Sequence, residues 1–149
     1  MIEHVFNPTD LLTRCSELLK VGWRIWLETP NNESFGHKLY QADWRGLEPP
    51  RHLAIFSSTG LAIVAKKAGL QISRKITRDV ADTIFKSSSQ ICAKRTAVVY
   101  GRDSDKRAHE RGLMENIYWA RRALRHNPEG SEFLTVELKR VLPVTAENF

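Results

Sequence analysis

Apolar residues in much of this chain recur at spacings of three and four, the period of a helix that buries one face. Between Asn7 and Gly22, four leucines and a cysteine follow this spacing, after an Asn-Pro-Thr-Asp sequence typical of a helix start. Ser57 and Gly69 are placed to cap the two ends of a second helix. The same spacing predicts two further helices, from about residue 79 to 95 and from about 104 to 126.

Three other segments are short and apolar, or alternate apolar with polar positions, as strands do. They cover residues 24–29, 70–76 and 133–140, and an Asn-Pro-Glu-Gly breaker at 127–130 precedes the last one. Helices that alternate with strands predict a layered α/β fold. A chain of 149 residues is long enough for one domain with its own core, so we predict a single domain.

A long polar and aromatic segment, residues 30–56, joins the first predicted strand to the second helix. It is rich in Asn, Gly, Pro, Trp, Arg and His, and residues 34–41 within it could form one or two helical turns. Loops of this length without regular structure are usually functional. We therefore expect the functional site to lie in this loop.

Composition adds few constraints. Hydrophobic residues make up 42% and charged residues 27% of the chain, values typical of a soluble globular protein. No apolar run approaches the roughly 18 residues of a membrane span, and the first residues do not have the pattern of a signal peptide. Cys15 and Cys92 have neither metal-ligand spacing nor a disulfide pattern. We expect a cytoplasmic protein that does not bind membranes.

The net charge of +6 is concentrated in one segment, because residues 94–125 contain nine Lys or Arg and four Asp or Glu. Such a basic segment could bind nucleic acid or an anionic substrate, or it could be a solvated helix face. Acids at helical spacing, such as Glu110 near Lys106 and Arg111, favour the solvated face. We do not expect nucleic-acid binding, because the segment lacks a recognised binding motif.

A set of short motifs follows in a fixed order along the first half of the chain. The motifs are Met-Ile-Glu-His-Val at 1–5, Leu-Leu-Lys-Val-Gly-Trp at 18–23, Thr-Pro-Asn at 29–31, Trp44, Pro-Pro-Arg-His-Leu at 49–53, Phe-Ser at 56–57 and Ala-Gly at 68–69. In this order they resemble class I S-adenosylmethionine-dependent methyltransferases of the small-molecule and sugar-modifying kind. The resemblance begins at the end of that family's fourth strand and covers about residues 1–76.

The resemblance implies an α/β fold with an incomplete Rossmann-like methyltransferase sheet. This sheet would be mixed, with about three strands, flanking helices and a helical insertion at about 79–130, within one domain over 1–149. Residues 1–5 would be the end of the fourth strand. The family's Gly-rich turn and its ribose-binding acid precede the matched region. We therefore expect the chain to lack that half of the cofactor site and to be inactive alone.

The resemblance implies transfer of a methyl group from S-adenosylmethionine to a small-molecule or sugar acceptor. His52 is our candidate for the catalytic base, because an imidazole titrates near neutral pH. The alternative for His52 is to order the loop through backbone hydrogen bonds. Glu3 and His4 are predicted to bind the cofactor at the carboxyl end of the fourth strand.

Four further residues are candidates for binding the acceptor, and each has a structural alternative. Arg51 could bind an acidic acceptor or form an ion pair with Glu48 or Asp43. Trp44 could stack on the acceptor or be a buried anchor of the loop. Asn31 and Asn32 follow the predicted strand and could bond the acceptor or shape the turn.

Glu3 and His4 also resemble the last two members of a Glu-x-x-Glu-His metal set found in quinone O-methyltransferases. The first Glu of that set would precede Met1, and two ligands make a poor Mg²⁺ site. We therefore predict no metal. A second function class is a non-catalytic module, because a sheet that begins at residues 24–29 has an apolar edge. Such an edge predicts a homo-oligomer, or a partner chain that completes the sheet.

Overall fold

The computed structural model describes residues 1–78, 81–100 and 106–141. The helices within these ranges are α1 (Pro8–Leu18), α2 (Phe35–Tyr40), α3 (Ser58–Lys67), α4 (Ala81–Tyr100) and α5 (Lys106–His126), and the strands are β1 (Ile25–Pro30), β2 (Leu70–Ile76) and β3 (Phe133–Arg140). Three 3-10 turns occur at Ile2–His4, Gln41–Asp43 and Pro128–Gly130. Within the described ranges, no helix combines the length and apolar character that a membrane span needs.

The three strands form one sheet in the order β1-β3-β2, and both pairs are antiparallel. In the β1–β3 ladder Leu27 lies opposite Val136, and in the β2–β3 ladder Ile72 lies opposite Leu138. The predicted α/β fold with about three strands is confirmed. The expectation of a mixed sheet is corrected, because both pairs of the described strands are antiparallel.

Apolar side chains on one face of the sheet form the main core. Leu27, Val136 and Leu138 from the sheet pack with Leu12 of α1 and Leu61 of α3, all of them buried. Helices α1 and α3 therefore cover this face. Because successive strand residues point to opposite faces, Trp26 and its neighbours on the same face point away from this core.

The local signals that predicted the helix ends are confirmed. The Asn7 side chain accepts a hydrogen bond from the backbone of α1, and the Ser57 side chain accepts one from Gly60 in α3. Gly69 ends α3 with a φ of +70°, a left-handed conformation that glycine adopts without steric cost. These contacts fix where α1 and α3 begin and where α3 gives way to β2, so Ser57 marks the end of the long loop.

The expectation that residues 1–5 end a strand is wrong. Ile2–His4 forms a 3-10 turn, in which the His4 amide donates to the Met1 carbonyl at 3.2 Å. The carbonyl of Glu3 accepts from the amides of Leu53 and Ala54, at 2.7 and 3.3 Å. The backbone hydrogen bonds of this segment are thus made within its own turn and to the long loop, not in a ladder with β1.

Helices α4 and α5 pack against each other and against α2. Phe85 of α4 and Ile117 and Ala120 of α5 form a second buried cluster, which Phe35 and Tyr40 of α2 contact. This helical region is the predicted insertion, and its contacts with α2 place it beside the long loop. The division of the chain into one domain with an insertion stays a prediction.

Candidate functional site

The long loop is anchored by a buried carboxylate, Glu132, which precedes β3. Its Oε1 accepts the Gly36 amide at 2.7 Å, and its Oε2 accepts the Trp44 indole N–H at 2.8 Å. The residue is only 4% exposed, and this burial raises the pKa of Glu132 although its hydrogen bonds act in the opposite direction. Glu132 therefore connects the start of β3 to two separate parts of the loop.

Sequence reasoning missed Glu132. An acid directly before an apolar strand is an ordinary feature of a loop, and no local spacing relates it to Trp44, 88 residues away. The only available signal was the presence of a large indole in a loop, since a buried Trp N–H usually requires an acceptor.

Trp44 is buried, with 2% of its surface exposed, and its ring packs on His37 at a centroid separation of 4.8 Å. Gly46 lies against the same ring, and a Cβ added at this glycine would overlap the indole. The structure therefore places Trp44 as an anchor of the loop, which is the alternative considered for it. Contact between Trp44 and an acceptor stays a prediction.

Asn31 and Asn32 follow β1 but have different surroundings. The fully buried Asn31 donates to the carbonyls of Glu129 and Ser131 at 2.8 Å and accepts the Glu33 amide at 2.9 Å. Asn32 is exposed, and its amide donates to a backbone carbonyl in the loop at 2.8 Å. Asn31 thus shapes the turn, while Asn32 lies at the surface. Their roles in acceptor binding stay predictions.

The structure brings together two predicted residues, His4 and His52, whose ring centroids are 4.8 Å apart. Nδ1 of His4 lies 2.8 Å from the Arg51 carbonyl, and Nδ1 of His52 lies 2.7 Å from the Gly46 carbonyl. Because a carbonyl can only accept, these contacts assign the proton of each ring to Nδ1. In the neutral rings, both Nε2 atoms are then free to accept a proton.

A carboxylate lies beside each of these Nε2 atoms. His4 Nε2 is 3.3 Å from Glu3 Oε1, and His52 Nε2 is 3.6 Å from Glu48 Oε2. A hydrogen bond from the Arg45 guanidinium holds the pKa of Glu48 below its usual value. Glu48 is therefore ionised at neutral pH, where it can stabilise a proton on His52.

The pKa of Glu3 is also lowered. Burial alone would raise this pKa, but hydrogen bonds with the Met1 ammonium, at 2.6 Å, and with the Thr29 hydroxyl, at 3.1 Å, favour the ionised form. The Glu3 carboxylate is thus a largely buried negative charge that already accepts a cationic amine.

Arg51 lies at the rim of this cluster, with 68% of its side chain exposed. Its guanidinium is 2.7 Å from Glu48 Oε1, so the ion pair that we considered as its alternative is present. Asp43, the other partner considered, instead pairs with Arg95 at 2.7 Å. Because Arg51 is largely exposed, it can still contact an anionic ligand.

Ligand atoms of Glu3, His4 and His52 all lie within 4.8 Å of one another. Two imidazoles and one carboxylate are ligands that suit a transition metal better than Mg²⁺. These three residues could therefore hold such an ion. Our prediction of no metal is left untested by this geometry.

A comparison with protein families agrees with the sequence resemblance. A family model described as a methyltransferase domain matches residues 1–75, which are half of the chain and include the histidine pair. No curated protein matches the chain. The match extends from the 3-10 turn at Ile2–His4 into β2, and so contains β1 and the whole long loop. The chain therefore belongs to the methyltransferase domain family.

Proposed function

We propose that the domain transfers a methyl group from S-adenosylmethionine to a small-molecule or sugar acceptor at the edge of the long loop. The observation that carries this proposal is the pair His4 and His52. Backbone carbonyls orient both rings, and an ionised carboxylate lies beside each Nε2. Such a group can remove the proton of an accepting hydroxyl or amine.

Glu3 supports the choice of cofactor. S-adenosylmethionine supplies a methyl group on a positively charged sulfonium and also carries a cationic amino group. The carboxylate of Glu3, whose side chain is 9% exposed, accepts the Thr29 hydroxyl at 3.1 Å and is a buried negative charge 3.3 Å from His4 Nε2. We infer that Glu3 holds a cationic part of the cofactor, with His4 beside it.

His52 is the proposed base. Its side chain is only 7% exposed, so few water molecules reach the ring. Proton transfer from the acceptor to Nε2 would give an imidazolium whose second N–H still donates to the Gly46 carbonyl. The Glu48 carboxylate, 3.6 Å away, would compensate the new charge.

Arg51 and Asn32 are the proposed acceptor-binding residues. Both are exposed, and both belong to the loop that includes His52. The planar guanidinium of Arg51 suits a carboxylate or phosphate on the acceptor, and the Asn32 amide suits a hydroxyl. An acceptor that carries both groups, such as a sugar acid or a sugar phosphate, offers a chemical partner to each of these side chains.

The test is methyl transfer from labelled S-adenosylmethionine, at millimolar concentration, to a panel of sugars, sugar acids and sugar phosphates. The resemblance predicts a chain that is inactive alone, so the proposal goes beyond it: it requires weak transfer by the wild-type chain at this cofactor concentration, and a loss of roughly 10²–10⁴-fold in kcat in His52→Gln, with little change in the acceptor KM. In His52→Gln, the plot of kcat against pH should also lose the rise that a single catalytic base produces.

His37→Gln is the matched control. Nδ1 of His37 also lies near a backbone carbonyl, that of Asn32 at 2.7 Å, but this ring packs on Trp44 and not on the histidine pair. Equal losses in the two variants would assign His52 to ordering the loop. Absence of transfer with every acceptor, in a chain whose fold is intact by circular dichroism, would contradict the proposed function.

A further inference from the structure

A tight turn inside the long loop carries the carbonyl that His52 contacts. The Leu47 amide donates to the Trp44 carbonyl at 3.1 Å, which closes a four-residue turn over residues 44–47. Gly46 is the third residue of this turn, and its carbonyl lies 2.7 Å from Nδ1 of His52. The direction of this carbonyl, and hence the nitrogen of His52 that carries the proton, depends on the conformation of the turn.

Two contacts from distant parts of the chain hold this turn at its first two residues. The Trp44 indole N–H donates to the Glu132 carboxylate at 2.8 Å, and the Arg45 amide donates to Ser88 Oγ of α4 at 2.9 Å. Both acceptors, Glu132 and Ser88, are buried. The start of the turn therefore cannot shift without breaking a hydrogen bond to a buried acceptor, which is costly.

The indole ring transmits the position of the carboxylate to the third residue of the turn. The N–H that Glu132 accepts belongs to the five-membered part of the Trp44 ring. Gly46 packs against the six-membered part so closely that an added Cβ would overlap Cη2, Cζ2 and Cζ3. One hydrogen bond thus fixes the rotation of the ring, and close packing against the ring fixes where the backbone of Gly46 lies.

We propose that Glu132 is a positioning residue for the base His52, and that it acts through Trp44 and the carbonyl of Gly46. The contacts form one continuous series from carboxylate to indole, glycine backbone and imidazole. The link to catalysis rests on the proposed function, because it takes His52 as the base. The positioning itself can be measured without methyl transfer.

The position of the Gly46 carbonyl matters because a neutral imidazole accepts a proton at only one of its two nitrogens. With the proton on Nδ1, directed at this carbonyl, Nε2 of His52 is free to accept. If the carbonyl turned away, the proton could instead lie on Nε2 and be attracted to the Glu48 carboxylate, 3.6 Å away. His52 would then have its proton on the atom that has to accept one.

Nitrogen NMR of the histidine side chains, at an alkaline pH where the rings are neutral, distinguishes the two tautomers. The His52 signal is assigned by its loss in His52→Gln, and the exposed His126 is an internal reference. We expect wild-type His52 to be protonated at Nδ1. In Trp44→Phe, which keeps a ring but removes the N–H, the ratio of Nδ1–H to Nε2–H should fall about fivefold, the factor that an ordinary hydrogen bond contributes.

Glu132→Asp tests the other end of the same contact. The shorter carboxylate cannot reach both the Gly36 amide and the Trp44 indole, so the tautomer ratio of His52 should fall in the same direction. Because both changes break one contact, the double variant Trp44→Phe/Glu132→Asp should fall little further than either single variant. Effects that multiply in the double variant would show two independent causes and would overturn the proposed series.

Matched changes elsewhere in the chain are the controls. Trp119→Phe makes the same change at a ring that is 55% exposed and should leave the His52 tautomer unchanged. Gly46→Ala, which forces the turn and the indole apart, should shift the tautomer as Trp44→Phe does. Gly112→Ala is its control, because a Cβ added there has no neighbouring atom within 4 Å. Equal shifts in a variant and its control would contradict the proposal.

The methyl-transfer assay connects the positioning to catalysis. Trp44→Phe should lower kcat by roughly tenfold to hundredfold with little change in the acceptor KM, as expected when a reacting group is misplaced. Trp119→Phe should change neither constant. A rise in KM alone would assign Trp44 to contact with the acceptor and overturn the positioning role.

The two proposals fail in different ways. An unchanged His52 tautomer in Trp44→Phe, with the fold intact by circular dichroism, would overturn the positioning role and leave Glu132 as an anchor of the loop. Absence of transfer to every acceptor would instead contradict the proposed function. A shift of the tautomer in the same variant would still support the series from Glu132 to His52.

Discussion

The carboxylate of Glu132 joins segments that are far apart in the sequence. It accepts the Gly36 amide and the Trp44 indole N–H while almost fully buried. Position 36 has room only for glycine, since a Cβ there would overlap the Glu132 carboxylate. The position of the long loop over the sheet therefore depends on one acid and on the close approach of one glycine to it.

Glu132→Gln should destabilise the fold. A glutamine has one oxygen and one NH₂ group, so one of the two buried donors loses its acceptor and faces another donor. We expect a loss of about 1–3 kcal/mol in the free energy of unfolding, measured by urea denaturation. An unchanged free energy would show that the carboxylate does not hold the loop.

The pH dependence of this loss has a definite sign. Burial raises the pKa of Glu132 in the folded chain, so the folded state binds the proton more tightly than the unfolded state. The contribution of Glu132 to stability is therefore complete below the ordinary glutamate pKa and is lost as the pH rises through the folded-state value. The difference between wild type and Glu132→Gln should accordingly shrink with rising pH.

Glu129→Gln is the control for that trend. Its side chain is 51% exposed, and the Lys75 ammonium at 2.7 Å lowers the pKa of Glu129. Its small contribution to stability should be present above the ordinary glutamate pKa and lost as the pH falls through the folded-state value. A parallel pH trend in the two variants would contradict the assignment of the buried carboxylate.

At the scale of the elements, the end of β1 is fixed by the side chain of Asn31. This side chain bonds to two carbonyls in the segment that precedes β3 and to an amide in its own turn. The carboxyl end of β1 and the start of β3 are thus held together beyond the last pair of the ladder. The neighbouring Asn32 is exposed.

Asn31→Asp and Asn32→Asp make the same chemical change at these adjacent positions. At residue 31 the change places a carboxylate oxygen against two carbonyls that lose their donor, and we expect a loss of about 3 kcal/mol in unfolding free energy. At residue 32 the effect should stay within about 0.5 kcal/mol. Thermal denaturation of both variants measures this, and similar losses would contradict the assignment.

Local signals predicted the elements well because their causes are local. The caps at Asn7 and Ser57, and the left-handed Gly69, depend on residues within one turn of them. The segment Ile2–His4 was predicted wrongly, because a strand exists only if a partner supplies its hydrogen bonds. The partner here is the long loop, which the amino-acid pattern of residues 1–5 does not reveal.

At the scale of the whole molecule, β3 is the last described element along the chain but the middle strand of the sheet. Its apolar residues contact strands on both sides and the core below. Leu138, which is fully buried, lies opposite Ile25 of β1 and Ile72 of β2. Stability should therefore depend more on β3 than on either edge strand.

Leu138→Ala tests this dependence. Removing a fully buried leucine side chain should cost about 2–5 kcal/mol in unfolding free energy, because the surrounding side chains fill the space only in part. Leu18→Ala, at a position that is 84% exposed, makes the same change and should stay within about 0.5 kcal/mol. Chemical denaturation of both variants decides, and comparable losses would contradict a core centred on β3.

The candidate site was also predictable only where its residues could be recognised without knowing which distant segments they contact. Residue type and family resemblance identified His4, His52 and Arg51 as site candidates, and the structure brings all three together. The tie between Trp44 and Glu132 joins residues 88 apart, and no periodicity covers such a separation. Chemistry was thus predictable from residue type, whereas the anchoring of the loop required the fold.

The central place of β3 also has a consequence during translation. Because β1 and β2 both pair with β3, neither of these two ladders can close until the ribosome has released residues 133–140. At about 5–20 residues per second, β1 emerges roughly 5–20 s before its partner. Throughout that interval the nascent chain exposes the hydrogen-bonding edges of two strands, so both ladders of the sheet form only after synthesis of β3.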